Sequence, residues 1–184
     1  MAVVDDHPVV LHDLRQMLDD SPHGIELVAL AGSVAALLAG PGRYADVVLL
    51  DLLLPGEPDV AANVARIRVT GPRVVIFTSD SRPAEVRAAI DAGALGLVLK
   101  GDPESRLVEA ILAAQAGEFS VSSRLAHAIV TDPDIATRLS VGEQEALKLV
   151  AQGLPHILVA RRLDVAADTV LPYLRQIICG YAGG

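Results

Sequence analysis

Short, almost purely apolar runs recur along this chain, and most end on a charged or hydroxyl side chain. Met1–Val4 leads into Asp5 and Asp6, Val47–Leu50 into Asp51, Val74–Phe77 into Thr78 and Leu97–Leu99 into Lys100; Ile25–Ala31 is a further run. Strands buried on both faces read this way, because no position along them faces water. Helical patterns fill the gaps: Pro8–Asp19, Val34–Leu38, Val60–Val69, Pro83–Ala92 and Pro103–Ala116. Pro8, Pro83 and Pro103 sit where a first helical turn tolerates proline. Gly93 and Gly117 sit just past helix ends, where a left-handed residue closes the helix. Strand–helix units repeated five times, with right-handed crossovers, predict an α/β fold with a doubly wound five-stranded parallel sheet.

The rhythm breaks at Glu118–Thr137. A helical stretch, Arg124–Val130, is followed by Thr131-Asp132-Pro133-Asp134, a turn or linker signal. Ser140-Val141-Gly142-Glu143 then has the S-x-x-E form of a capping box, opening a helix over Glu143–Gln152 that Gly153 closes. Pro155–Leu163 and Ala167–Ile178 complete a small all-helical tail. The predicted division is a first domain over 1–118, a linker over 119–138 and a helical domain over 139–184.

Composition removes several alternatives. Hydrophobic residues make up 52% of the 184 residues, enough to build a core and to exclude intrinsic disorder. No apolar run is long enough to cross a membrane. Two acids near the start and no basic segment argue against a secretory signal. A single cysteine, Cys179, excludes an intrachain disulfide and argues against zinc, and a cytoplasmic location is expected. Net charge is −8. Residues 1–120 hold nine basic and seventeen acidic side chains, whereas residues 121–184 hold six of each. Neither part has the basic excess of a strong nucleic-acid binder.

In open α/β sheets the site lies beyond the carboxyl ends of the strands. Those ends supply Asp5, Asp6, Asp51, Thr78 and Lys100 to one rim. Clustered carboxylates repel unless a cation joins them, and an all-oxygen set with room for water and phosphate suits Mg²⁺. A carboxylate beside such a cation is a competent nucleophile towards phosphorus, with Lys100 and Thr78 placed to hold the transferred oxygens. Lone aspartates after strands are often only loop starters or caps, so the set carries the reading rather than any one member. Asp80 reads as a cap for the fourth helix, and His7 and His12 as helix-flank residues. His127 and His156 have no partner at ligand spacing, and Cys179 reads as a small half-buried side chain.

At these residues a family resemblance emerges. Val-Asp-Asp-His-Pro-Val-Val, Val-Val-Leu-Leu-Asp-Leu-Leu-Leu-Pro-Gly, Val-Val-Ile-Phe-Thr-Ser and Gly-Leu-Val-Leu-Lys resemble the receiver domain of NarL/FixJ-type response regulators. Leu-Ser-Val-Gly-Glu-Gln-Glu-Ala-Leu-Lys-Leu-Val-Ala-Gln-Gly-Leu, Val-Ala-Arg-Arg-Leu and Asp-Thr-Val resemble the LuxR-type helix-turn-helix of the same family. The resemblance implies a flavodoxin-like strand order of 2-1-3-4-5. It implies that Asp51 accepts a phosphoryl group from a phosphohistidine on a sensor histidine kinase. Asp5, Asp6, Asp51 and the Leu53 carbonyl would hold Mg²⁺, while Thr78 and Lys100 would bind the phosphoryl group. It also implies a homodimer through the helix 4–strand 5 face, and DNA contacts from Arg161, Arg162, Thr169 and Arg175.

The chain departs from that pattern in three respects: the first strand, Leu97 and the output module. Strand 1 has only Ala2-Val3-Val4 before the acidic pair. Leu97 stands where the family usually has an aromatic that rotates on activation. Aligned on Thr169-Val170, the positions facing DNA are Leu171, Pro172, Tyr173, Arg175 and Gly180, poor in cations, and Pro172 lies inside the helix. Ile157 and Leu158 occupy usually polar positions, as a face buried against the receiver or an exposed partner patch, and the family's fourth tail helix is missing. Two function classes follow. One is a phosphorylation-controlled transcription regulator that binds DNA weakly. The other is a phosphoacceptor protein acting by protein–protein binding, with a non-functional DNA-binding tail. An enzyme of small-molecule metabolism is not expected, because no nucleotide loop or second catalytic base is present.

Overall fold

In the computed structural model, which describes residues 1–19, 23–79, 82–131, 137–154 and 156–181, the apolar runs are consecutive strands of one parallel sheet. They are β1 (Ala2–Val4), β2 (Ala29–Ala31), β3 (Val47–Leu50), β4 (Arg73–Thr78) and β5 (Gly96–Leu99). The sheet has six strands, not five, in the order β2-β1-β3-β4-β5-β6. The sixth, β6 (Ser120–Val121), pairs Ser120 with Gly96 and Val121 with Leu97. It lies in the stretch read as linker. Two residues are too few for an alternation signal, so only the pairing partner reveals the strand.

The second strand is also shorter than its apolar run. Central β1 offers three residues, and each pairs with one of Ala29, Leu30 and Ala31. Beyond these pairs, Val28 N donates to Met1 O and the Met1 amino group donates to Glu26 O. The short first strand is central, as the resemblance implied.

Alternate side chains of each strand enter different layers. Ala2, Val4, Val48, Leu50, Val74, Ile76 and Leu97 face α2 (Val34–Ala39), α3 (Val60–Val69) and α4 (Pro83–Asp91). Val3, Val47, Leu49, Val75, Phe77 and Val98 face α1 (Pro8–Asp19) and α5 (Glu104–Ala116). Each fully buried Leu, Ile or Val contributes about 1.5–3 kcal/mol relative to exposure. Local capping agrees with this layout: Ser33 and Asp59 accept from the N–H groups of Ala36 and Ala62, and Gly117 closes α5 with a left-handed φ of 82°.

The tail consists of α6 (Ser123–Thr131), α7 (Val141–Ala151), α8 (His156–Leu163) and α9 (Ala167–Tyr181). Ser140 and Glu143 form the full capping box of α7. The tail adds to the α2–α4 side of the core. Ala126, Leu147, Val159, Val170, Leu174 and Ile177 belong to the same apolar cluster as Val86 and Ile90 of α4. Pro172 lies inside α9, yet the helix runs through it. Val170, Leu174 and Ile177, spaced i, i+4, i+7, are almost wholly buried, and that packing outweighs the local cost of proline.

Candidate phosphoacceptor site

The parallel register fixes the site. Asp51 N donates to Val4 O and Asp5 N to Ala31 O, so both aspartates continue the ladder one residue past their strands. Asp5 and Asp51 are 1% and 5% exposed, with Asp6 more open beside them. On the other side of β3, Lys100 N donates to Thr78 O at the ends of β5 and β4. Thr78 is buried at the same rim. Leu53, in the loop after β3, presents an exposed side chain, and Leu52 beside it is buried.

Lys100 closes the constellation. Its Nζ lies 2.7 Å from Asp51 Oδ2 and 2.6 Å from Asp5 Oδ2, and the side chain is 11% exposed. Burial alone pushes its pKa down, but hydrogen bonds and charge from Asp5 and Asp51 outweigh that, and the ammonium titrates above the ordinary lysine value of 10.5. It is charged throughout the neutral range. Asp5 Oδ2 is buried, and the Lys100 ammonium is the charge that faces it.

Asp5, Asp6, Asp51 and His7 each offer a ligand atom, all within 4.8 Å of one another. Three hard carboxylates gathered at one point fit Mg²⁺. His7 flanks α1 as read, and its ring also lies beside the carboxylate cluster. Its Nδ1 lies 3.1 Å from Asp5 Oδ1 and 2.9 Å from Asp6 Oδ1, and its backbone N donates to Asp5 Oδ1. The signal was the adjacency Asp-Asp-His itself: a residue two positions on can turn back over the first carboxylate. His12 is exposed on α1, away from this group.

A profile of the response regulator receiver domain matches residues 1–112. The chain belongs to the response regulator family. The nitrate/nitrite response regulator protein NarL of Escherichia coli is 28% identical over 188 residues, covering 97% of this chain and 87% of its own length. The DNA-binding transcriptional activator DevR/DosR of Mycobacterium tuberculosis is 31% identical, covering 96% and 85%. Among solved structures, two RcsB dimers bound to two parallel DNAs align with a TM-score of 0.61 at 25% identity, over 98% of this chain and 90% of that one. Receiver strands followed by a helical C-terminal part are the shared plan.

The structure separates the tail candidates of this response regulator. Arg161 and Arg162 are exposed on α8, and Thr169 is exposed on the first turns of α9. Three residues join these helices, and Asp164 there has a left-handed φ of 54°. Arg175 is turned elsewhere: its Nη2 donates to Ile90 O at the end of α4, 2.9 Å away. Ile157 and Leu158 are 58% and 46% exposed, so they are not a face buried against the receiver. Leu97 is fully buried between Ile76 and Val121. The placements of Asp80, residues 132–136 and Pro155 lie outside the described residues, as do the side chains of Leu171 and Cys179.

Proposed function

We propose that this response regulator is a phosphorylation-controlled transcription regulator of the cytoplasm, with Asp51 as phosphoacceptor and the C-terminal helices as a DNA-binding helix-turn-helix. The observation that carries it is Lys100 Nζ set between Asp51 and Asp5 at the carboxyl end of the sheet. An Asp51 oxygen attacks the phosphorus of a phosphohistidine on a sensor histidine kinase. The P–N bond breaks as the O–P bond forms, and the released imidazole ring keeps the electron pair and takes a proton. Lys100 is poised to move from the carboxylates to the new phosphoryl oxygens, and the Thr78 hydroxyl lies on the same rim to meet them. Asp5, Asp6, Asp51 and the Leu53 carbonyl are the groups that would hold Mg²⁺, whose charge offsets the phosphate oxygens when bound.

Arg161, Arg162 and Thr169 lie on exposed turns of the two-helix unit, as phosphate and base contacts require. Arg175 reaches DNA only after leaving Ile90. A homodimer through the α4–β5 face makes the same demand, because α9 of the same chain covers α4. Relatives named as transcription regulators favour this reading over an output by protein–protein binding alone, although the exposed Ile157 and Leu158 are the feature that second reading would use. Incubation with Mg²⁺ and a small acyl phosphate adds one phosphate by intact mass, and Asp51→Asn abolishes it. Equal labelling of the two proteins overturns the assignment.

A further inference from the structure

We propose that Ser122, on the segment joining β6 to α6, is a positioning residue for Lys100, acting through Asp102. The proposal rests on the reading of Asp51 as phosphoacceptor. Lys100 is the first residue after β5, it is followed by Gly101, and its long side chain has no intrinsic reason to stay over Asp51. Its backbone is fixed on one side by the bond to Thr78 O. On the other side the turn closes through Asp102, whose N donates to Leu99 O while its Oδ2 accepts from Leu99 N at 3.0 Å.

Ser122 then fixes Asp102. Its Oγ donates to Asp102 Oδ2 at 2.6 Å, within the short range of hydroxyl–carboxylate bonds, which are about twice as strong as neutral ones. Ser122 is 4% exposed, its N donates to Leu97 O, and its carbonyl accepts from Ala126 N in the first turn of α6. Both of its backbone groups are thus anchored, one by β5 and one by α6, and the hydroxyl is aimed at the carboxylate. A residue outside the five expected strands sets the conformation of the turn that carries the ammonium. Because Ser122 also starts α6, the position of Lys100 and the start of the helical tail share one bond.

A purely structural bond would weaken folding, the metal site and phosphoryl handling alike; a positioning bond slows phosphoryl handling without weakening the metal site. The test uses the full chain, Mg²⁺ and acetyl phosphate. In Ser122→Ala, Asp51 labels three- to tenfold more slowly while Mg²⁺ affinity does not fall below that of the parent. Ser122→Thr, which keeps the hydroxyl, restores the rate. Asp102→Ala, which removes the oxygen that accepts from both Ser122 and Leu99, shows at least the same slowing; combined with Ser122→Ala it adds nothing further. Parent-like labelling of Ser122→Ala, equal losses of rate and Mg²⁺ affinity, or additive effects of the two changes each overturn the positioning role. A parent that takes up no phosphate overturns both this role and the reading of Asp51.

Discussion

Arg175 in α9 donates to the carbonyl oxygen of Ile90, 85 positions earlier in the chain, at the last turn of α4. Ile90 O also accepts from Gly93 N, and carbonyls at a helix C-terminus carry partial negative charge, so a guanidinium is a fitting second donor. The same device recurs where Arg106 of α5 donates to Gly153 O after α7. Two arginines, one from each part, thus tie the tail to the receiver through helix ends. The helix read as facing DNA is held on α4 by Arg175 and by the apolar stripe Val170, Leu174 and Ile177.

Arg175→Ala should loosen that seat without touching the phosphoacceptor site. Amide exchange across Ala167–Tyr181 is expected to speed up several-fold, with Asp51 labelling unchanged. Exchange identical to the parent would show that the apolar stripe alone holds α9.

Lys100→Met should destabilise the protein by about 3 kcal/mol at neutral pH, because it leaves Asp5 and Asp51 buried without their cation. Mg²⁺ should then raise the melting temperature more in the variant than in the parent, since it supplies the missing charge. A smaller Mg²⁺ response in the variant would argue that Lys100 and the metal do not compete for the same field.

The pH dependence of that difference follows from the raised pKa of Lys100. A cation whose folded pKa lies above its unfolded value stabilises fully below the unfolded value and loses that contribution as pH rises through the folded one. Urea unfolding of parent and Lys100→Met should differ by a constant amount from pH 7 to pH 9. The gap should shrink as pH passes 10.5 and climbs further. A gap that already closes near pH 8 would mean that Asp5 and Asp51 do not hold the ammonium charged.

Pro172→Ala should stabilise the protein by up to about 3 kcal/mol, the cost of proline within a helix. Pro172 is exposed, so the change removes no core contact. Unaltered urea unfolding would show that α9 has already relaxed around the missing N–H.

DNA binding by the full chain should be weak and shallow in salt. Arg161 and Arg162 are the free cations of α8, and Arg175 is engaged with α4. Two or three phosphate contacts give a slope of log K against log salt of about −2 to −3. A slope near −8 would require a basic surface that neither α8 nor α9 presents.

Most of the receiver was legible because its signals are local. Val47–Leu50 is apolar on both faces and has no stable place except a central parallel strand. Asp51 and Lys100 end such strands, and a strand end in this topology has only one rim to reach. β6 was not legible, since Ser120 and Val121 become a strand only because Gly96 and Leu97 present an open edge beside them. His7 stands at the start of α1 as read, but its turn back over Asp5 was not legible, because spacing alone does not show it.

The sequence by itself determined the α/β order, the capping box of α7 and the carboxylates and lysine of the site. These follow from hydrophobic period and from which residues a strand can bury, and both are properties of short windows. The tertiary structure alone decided where Arg175 points, how Ser122 reaches Asp102 and why α9 survives Pro172. Each of those depends on a partner tens of residues away, and a hydrogen bond of 2.6 to 2.9 Å exists only once the packing of both elements has fixed its two ends.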